Sequence, residues 1–405
     1  MSKKPLLTVF MIVFIDLMGF GIVIPLLPLY ADRYQPSPAV FGLLMAAYSL
    51  MQFAFTPILG RLSDRFGRRP ILLLSLAGTV CGYVLFGLQN SLALLFVSRI
   101  VGGLMGANVA TAQAVIADIT KPEERAKGMG LIGAAFGLGF IFGPAIGGAT
   151  VRLGEAAPGF FAAGLSLAAL LVAVVFLPET WPKERRAKPR AVRRGWFSFS
   201  RLTVALRHPQ IGLLLVIYLL ATFAFANFES TFALTLEKRL GLDESHVMWL
   251  FVFVGVLAAV VQGGLIGRLV KRFGERRLIL AGALFLVPGY LSLILAQSVP
   301  ALLLVLPLLA LGAGLTNPSL SSLVSRLATA DEQGGILGVY QSMASMARIL
   351  GPFWGVFAFE RFGMGSPYWT AALVAAAVVA LAAIVLVRAR NAALSGHALE
   401  NGTSV

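Results

Sequence analysis

The sequence has little charge, one cysteine and three histidines. Asp, Glu, Lys and Arg together make up 13% of its 405 residues, whereas a soluble domain carries about 25%. Because apolar residues make up 58% and the mean hydropathy is +0.86, too few polar side chains exist to coat a water-soluble globule of this size. The lone Cys81 excludes an intramolecular disulfide, and the scattered His208, His246 and His397 make no metal site. These shortages argue against a cytosolic enzyme, a nucleic-acid binder and a disordered chain, and we expect no metal and no cofactor.

Twelve apolar runs are long enough to cross a membrane as helices, since about 20 residues span a bilayer core of about 30 Å. The runs are continuous in Leu, Ala, Val, Phe and Gly, which favours helices over the alternating strands of a membrane barrel. Numbered one to twelve, the predicted spans cover residues 6–30, 38–60, 70–89, 92–117, 127–151, 158–177, 210–236, 246–267, 277–297, 299–322, 335–359 and 366–387. The sequence therefore predicts an all-α membrane protein with twelve transmembrane helices, the first of them retained and not cleaved as a signal peptide.

Lys and Arg fall mainly on one side of the predicted spans. The segments on the side of the N-terminus hold 26 of them and the opposite loops hold five, and the basic side of a membrane protein is cytoplasmic. We predict cytoplasmic N- and C-termini in the cytoplasmic (inner) membrane of a bacterium. The net charge of +15 is thus largely a topology signal, and no nucleic-acid partner is expected. Nine basic residues fall in Pro178–His208, a predicted cytoplasmic linker whose charges suit the heads of anionic membrane lipids.

Two halves of six spans share sequence motifs at matching places. Seven of ten residues are identical between Gly60–Arg69, after span two, and Gly267–Arg276, after span eight, at an offset of 207. The pair Gly143-Pro144 in span five recurs in span eleven at an offset of 208. Repeats of the same orientation indicate a parallel duplication. We predict four segments: an N-terminal half at 1–177, a basic linker at 178–208, a C-terminal half at 209–388 and a cytoplasmic tail at 389–405.

Two motifs and three further stretches carry a resemblance to a known family. The loop after span two resembles the loop motif of the major facilitator superfamily: Gly60-x-Leu62-x-Asp64-Arg65-x-Gly67-Arg68-Arg69. Span five resembles the helix-five motif of the antiporters in that superfamily: Gly139-x-x-x-Gly143-Pro144-x-x-Gly147-Gly148. Three further stretches are similar to the twelve-helix drug:proton antiporters, and especially to tetracycline-efflux proteins: Asp16–Gly21, Gln52–Pro70 and Val115–Asp118.

The resemblance implies the major facilitator fold and a monomeric, proton-coupled antiporter that exports amphipathic drugs or related small molecules by alternating access. Tetracycline exporters carry acidic residues in helices three and nine, where this chain has Gly82 and, at about the corresponding place, Pro288, so the drug is left open. The alternatives are a proton-coupled symporter that imports a small nutrient, and a channel or membrane receptor. No G-x-x-x-x-G-K loop is present, which argues against ATP-driven transport, and nothing suggests an enzyme.

Four charged residues fall well inside the predicted spans, away from their ends: Asp16, Arg99, Glu229 and Arg348. Charges in hydrocarbon are costly and usually face a cavity or a partner, so we predict that these four couple protons or bind substrate. Asp16 lies about ten residues into span one, or roughly 15 Å, near the midplane where such sites lie. The resemblance places Arg99 in proton transfer, and Arg348 is expected to pair with Glu229 or to bind an anionic substrate group. Fixed salt bridges are the alternative, or, for Glu229, an interfacial carboxylate in contact with water.

Three further sets of residues complete the predicted site. Polar side chains inside the spans are expected to line the substrate cavity, or else to hydrogen-bond neighbouring helices: Gln52, Asn108, Gln262 and Gln341. Residues of the inner loop and of the end of span four are expected to gate the conformational change, with Asp64 as an inner lock: Gly60, Asp64, Arg65, Gly67, Arg68 and Asp118. Small residues and a proline predict a tight, bent interface in span five: Gly139, Gly143, Pro144, Gly147 and Gly148.

Overall fold

Helices make up nearly all of the part of the chain that the structure describes. The computed structural model describes residues 3–106, 108–119, 135, 138, 139, 141–180, 206–208, 210–328 and 333–401. These residues contain no β-strand. The prediction of an all-helical chain is therefore confirmed over this part of the protein.

The helices follow the order of the predicted spans, and we keep the span numbers for them. Spans one to six correspond to Lys3–Asp32, Pro38–Phe66, Arg68–Leu88, Leu92–Met105 with Asn108–Ile119, 141–150, and Ala157–Phe176, and a short 3-10 helix at Val151–Leu153 follows span five. Spans seven to twelve correspond to Ile211–Leu240, Glu244–Ala259 with Val260–Leu265 and Ile266–Phe273, Glu275–Leu295, Val299–Leu327, Gln333–Phe362, and Ser366–Asn401. Within span eight, Val260–Leu265 is π-helical.

Nine of the described helices are long and apolar enough to cross a membrane. These are spans one, two, three, six, seven, eight, nine, ten and twelve. Within span four, Leu92–Met105 is apolar but shorter, and most of the first half of predicted span five falls on residues outside the described part. Nine such helices fit a membrane protein, because each has about the length that a bilayer core requires.

Side-chain caps fix where several spans begin. The Ser91 hydroxyl accepts a hydrogen bond from the backbone N–H of Leu94 at 3.2 Å, and Ser298 starts span ten in the same way. Before span eight, the Asp243 carboxylate accepts a hydrogen bond from the backbone N–H of His246 at 2.8 Å. Each cap satisfies a donor that the first helical turn leaves unpaired. Because the carboxylate form accepts that bond, the pKa of Asp243 is lowered from its ordinary value.

The chain forms two compact units, each with its own apolar core. The first unit comprises Met1–Ser198, Ala226–Val256 and Arg348–Pro367, and the second comprises Phe199–Phe225, Leu257–Ala347 and Tyr368–Val405. Buried side chains of spans one, three, four and six meet in the first unit: Ile12, Leu72, Val115 and Ala169. Spans seven, nine, ten, eleven and twelve meet in the second: Leu214, Ile279, Leu320, Met343 and Val378. The predicted halves rest on the sequence repeat and stay a prediction.

Span five approaches its neighbours through glycines. A Cβ atom on Gly143 would lie 2.7 Å from the Cα atom of Gly21 in span one, and one on Gly139 would lie 2.8 Å from the Cβ atom of Leu17. Pro144 lies at the same contact, 3.4 Å from where a Cβ on Gly21 would be. Farther along, Gly147 and Gly148 lie against Met248 of span eight. The motif residues thus lie at close helix contacts, as small residues allow, and their functional role stays a prediction.

Candidate functional site

The structure buries Asp16 where spans one and three meet. Asp16 is 5% exposed, and the Tyr83 hydroxyl donates a hydrogen bond to the backbone carbonyl of Asp16 at 3.3 Å. One turn farther along span one, a Cβ atom on Gly19 would lie within 2.7 Å of the Tyr83 ring. The absence of a side chain at Gly19 therefore lets Tyr83 reach the backbone of Asp16.

Arg99 lies buried in span four and is 4% exposed. Its guanidinium carbon lies 4.7 Å from the centre of the Tyr48 ring, and its Nε has no hydrogen-bond partner. Within the described part of the chain, no carboxylate forms an ion pair with Arg99 inside 4.0 Å. Both Asp16 and Arg99 act electrostatically on Tyr48 and on Tyr83. The structure therefore brings the two charges predicted for the first half around one pair of tyrosines.

A small pocket opens beside Arg99, between spans two, three and four. Its lining consists of Tyr48, Thr79, Gly82, Tyr83, Phe86, Ser98, Arg99 and Gly102. A Cβ atom on Gly82 would lie 3.2 Å from the backbone of Gly102, which is too close for an added side chain unless the helices separate. This contact gives a physical reason why span three carries glycine, and not an acidic residue, at this place.

Glu229 and Arg348 lie in the same compact unit, and both are half-buried. The charge of Arg348 acts on Glu229 and also on Tyr48. The structure shows no ion pair within 4.0 Å between these two described residues. Their helices meet nearby, because the site of a Cβ on Gly355 lies against the side chain of Asn227. The predicted pair is thus brought into electrostatic range without direct contact.

The predicted cavity residues occupy different surroundings. Gln52 donates a hydrogen bond through its Nε2 to the backbone carbonyl of Gly106 at 2.8 Å, which agrees with the alternative of a bond between helices. Gln262 is exposed within the π-helical segment of span eight, and Gln341 is exposed on span eleven. The side chain of Asn108 lies outside the described residues.

Arg68 is the centre of the inner loop. Its Nε donates to Asp118 at 3.1 Å, its Nη1 donates to the Ser63 hydroxyl at 2.6 Å, and its backbone N–H donates to Glu179 at 3.0 Å. Gly67 has a φ of +110°, a conformation that favours glycine. These contacts tie the ends of spans two, three and four to the residues that follow span six. We name the Arg68–Asp118 pair the first inner clamp.

Two other predicted gating residues, Arg65 and Gly60, contribute less to this network. Arg65 is exposed, with its guanidinium carbon 5.3 Å from the centre of the neighbouring Phe66 ring. A Cβ on Gly60 would meet nothing within 4 Å. The side chain of Asp64, the predicted lock, lies outside the described residues.

A second inner clamp in the other unit has the opposite order of charges. Glu275, 207 residues after Arg68, accepts a hydrogen bond from Arg326 Nη1 at 2.7 Å and another from the Ser322 hydroxyl at 3.1 Å. Arg326 follows Asp118 by 208 residues, the offset of the sequence repeat. This pair was not among the predicted site residues, although the offset, applied to Asp118, points to Arg326.

Ion pairs also join chain segments on the predicted outer side of the first unit. Arg33 pairs with Glu155 and, at 2.5 Å, with Glu244. Lys238 pairs with Asp32 at 3.3 Å and, more distantly, with a glutamate at the end of span eleven. These pairs bridge segments that are far apart in the sequence, and no local pattern predicts them. Being partly exposed, each contributes about 1 kcal/mol or less.

A bundle of apolar helices with charges buried inside its spans defines a polytopic membrane protein of the transporter class. The chain belongs to the Major Facilitator Superfamily, whose sequence model matches residues 9–352 and 214–401. Its relatives include the class D tetracycline resistance protein of Salmonella ordonez, 34% identical over 89% of this chain and 90% of that protein. Multidrug resistance protein 1 of Bacillus subtilis (strain 168) is 30% identical over 91% of this chain and 92% of that protein.

A solved structure extends the likeness to three dimensions. The crystal structure of the human organic anion transporter MFSD10 (TETRAN) has a TM-score of 0.74 and 27% sequence identity, and covers 94% of this chain and 99% of that chain. The predicted fold class, an all-α membrane protein of the major facilitator fold, is therefore confirmed. The protein is an integral membrane protein, and the family resemblance drawn from its motifs is confirmed as well.

Proposed function

We propose that the protein is a proton-coupled secondary transporter that exports amphipathic small molecules, cationic or neutral, by alternating access. The observation that carries the proposal is the burial of Asp16 and Arg99 around the same pair of tyrosines in the first unit. Relatives named tetracycline resistance and multidrug resistance proteins support drugs as the substrate class. The proposal places a monomer in a bacterial cytoplasmic membrane, with both termini inside and with neither a cofactor nor an enzymatic reaction.

We assign the transported proton to the carboxyl group of Asp16. A carboxylate inside a membrane is costly, so it is charged only while a cation compensates it. Arg99 supplies one positive charge nearby, and a cationic substrate supplies another. Binding of a proton neutralises Asp16 and removes its attraction for the substrate. Proton and substrate thus compete for one carboxylate, and this competition is what exchange requires.

The first inner clamp, the Arg68–Asp118 pair, is placed to affect the change between the two states of the carrier. It ties the inner ends of spans two, three and four through one arginine that is 7% exposed. A carrier moves between two states, and a contact that forms in only one of them shifts their populations. Arg68 and Asp118 are therefore assigned to the balance between states, and not to substrate binding.

A second candidate function is the coupled movement of an organic anion with a proton. Two observations favour it: Arg99 has no carboxylate within 4.0 Å among the described residues, and one structural relative is named an organic anion transporter. An anion would compete with the Asp16 carboxylate for Arg99. Protonation of Asp16 would then favour anion binding, so that both move in the same direction. The sign of the substrate charge therefore predicts the direction of coupling.

Transport of charged probes into proteoliposomes distinguishes the two functions. We would impose a pH gradient and follow ethidium as the cation, tetracycline as the drug and carboxyfluorescein as the anion. Export by antiport predicts that ethidium or tetracycline moves against the protons and that an uncoupler abolishes the movement. Movement of carboxyfluorescein together with protons would instead establish the second candidate. If no gradient drives any of the three probes, both functions are wrong for these substrates.

A further inference from the structure

Tyr48 of span two packs against three glycines of span four. A Cβ atom on Gly102 would lie 3.5 Å from the Tyr48 ring. A Cβ on Gly103 or on Gly106 would overlap Tyr48, at its backbone carbonyl and at its hydroxyl respectively. Three of five consecutive residues, 102, 103 and 106, therefore lack a side chain where this tyrosine lies. Gly102 and Gly106 thus leave room for the Tyr48 side chain, and Gly103 lets span four approach the backbone of span two at this residue.

The Tyr48 ring contacts the Arg99 guanidinium. The guanidinium carbon lies 4.7 Å from the ring centre, within the range of a cation–π interaction. Arg99 is 4% exposed, and its Nε has no hydrogen-bond partner among the described residues. A cation–π contact is stronger when it is desolvated, so the aromatic face of Tyr48 favours one orientation of this buried guanidinium.

Tyr48 also lies within electrostatic range of two other charged residues of the spans, Asp16 and Arg348. Phe20, one turn after Asp16 on span one, packs on Tyr48 with 5.0 Å between the ring centres. Residues four apart lie on one helix face, so the face of span one that carries Asp16 is turned toward Tyr48. Asp16, Arg99 and Arg348 all act electrostatically on Tyr48. Among the described side chains, Tyr48 is the common neighbour of these three charges.

We propose that Tyr48 is a positioning residue for proton coupling: its ring holds the Arg99 guanidinium in the orientation from which Arg99 acts on Asp16. The inference rests on the proposed function, because it concerns the step in which Asp16 exchanges its proton. Tyr48 itself takes no proton in this account. Its aromatic face is what matters, so phenylalanine should replace it and leucine should not.

Two substitutions separate a positioning role from general packing. Tyr48→Leu removes the ring, whereas Tyr48→Phe retains it. The matched control is Tyr218→Leu, since Tyr218 stacks on Tyr340 at 3.7 Å in the second unit. For each variant we would measure proton-driven uptake of ethidium and its downhill exchange without a gradient. Tyr48→Leu should lower driven uptake at least tenfold and change downhill exchange less than twofold, while Tyr48→Phe and the control retain at least half of both rates.

Three results of this assay would overturn the inference. They are unchanged driven uptake in Tyr48→Leu, an equal loss of both rates in that variant, and a loss in Tyr48→Phe as large as in Tyr48→Leu.

A thermal double-mutant cycle of Tyr48→Leu and Arg99→Gln tests the contact even if the wild-type protein drives no ethidium. If the pH gradient does not drive tetracycline either, the proposed function fails by itself. Positioning predicts that the two unfolding-temperature shifts are non-additive, because the double variant removes the cation that Tyr48→Leu leaves unsupported. Additive shifts would show that the ring does not hold Arg99, and would overturn the inference independently of transport.

Discussion

Replacing Arg68 by glutamine should destabilise the first unit by about 2–4 kcal/mol. The Arg68 side chain donates to Asp118 and to Ser63, and the substitution leaves the Asp118 carboxylate without its cation. Removing one partner of a fully buried ion pair costs about 3–5 kcal/mol, and an exposed pair contributes about 0–1 kcal/mol. The side chains of this pair are 9% and 17% exposed, so the cost should approach the buried value without reaching it.

The second inner clamp supplies a control of the same chemistry. Arg326 pairs with Glu275, but its side chain is 69% exposed. The Glu275 side chain is itself only 9% exposed, but the solvent around Arg326 lets water replace this arginine at the carboxylate, and Ser322 continues to donate to Glu275. Arg326→Gln should cost about 1 kcal/mol or less, well below the cost of Arg68→Gln.

Thermal unfolding of the purified variants in one detergent measures the difference. The unfolding temperature of Arg68→Gln should fall several times further than that of Arg326→Gln. The double variant Arg68→Gln/Asp118→Asn should recover part of the loss, because it leaves no unpaired charge. A loss in Arg326→Gln equal to that in Arg68→Gln, or strictly additive effects in the double variant, would show that burial of the Arg68–Asp118 pair does not set the cost of losing Arg68.

Two further predictions follow from single positions. Gly143→Ala should lower stability and expression, because its Cβ would lie 2.7 Å from the Cα of Gly21. The control Gly164→Ala in span six should leave both unchanged, because its Cβ would meet nothing within 4 Å. Thermal unfolding and membrane yield measure the two effects. Asp243→Ala should cost about 1 kcal/mol at neutral pH through loss of the helix cap. Since the pKa of Asp243 is lowered by the His246 backbone N–H, this stabilisation is present above the pKa of the unfolded chain and is lost as pH falls through the folded-state pKa. A difference between Asp243→Ala and wild type that persists undiminished in acid would contradict this.

The order of the described helices, and most of their ends to within a few residues, could be predicted because apolar runs report directly on membrane spans. The last helix instead continues to Asn401, 14 residues beyond the predicted end of span twelve, because its end is polar and carries no apolar run. The start of span four at Ser91 and the turn at Gly67 are also local features, set by a capping hydroxyl and by a positive φ. The burial of Asp16 and Arg99 follows from the cost of charge in hydrocarbon. Such properties depend on a residue and its immediate neighbours in the sequence.

The contacts around these charges could not be predicted in the same way, because they depend on how each helix is rotated about its axis. A tyrosine in an apolar run, such as Tyr48, has no local pattern that marks it as the neighbour of Arg99. The described contacts of the inner loop centre on Arg68 and reach Asp118, 50 positions away, and the role of Asp64 stays a prediction. Ion pairs such as Arg33–Glu244 join residues more than 200 positions apart and leave no periodic signal.

Transport by the Asp16→Asn variant tests whether the Asp16 carboxylate carries the coupled proton. The variant keeps the size of the side chain and removes its charge, and Asp243→Asn is the matched control, because asparagine caps a helix as well as aspartate does. Both proteins would be reconstituted, and proton-driven uptake would be compared with downhill exchange of the same probe. We predict that Asp16→Asn abolishes driven uptake and retains downhill exchange, while Asp243→Asn retains both. Full gradient-driven uptake by Asp16→Asn would show that this carboxylate does not carry the proton.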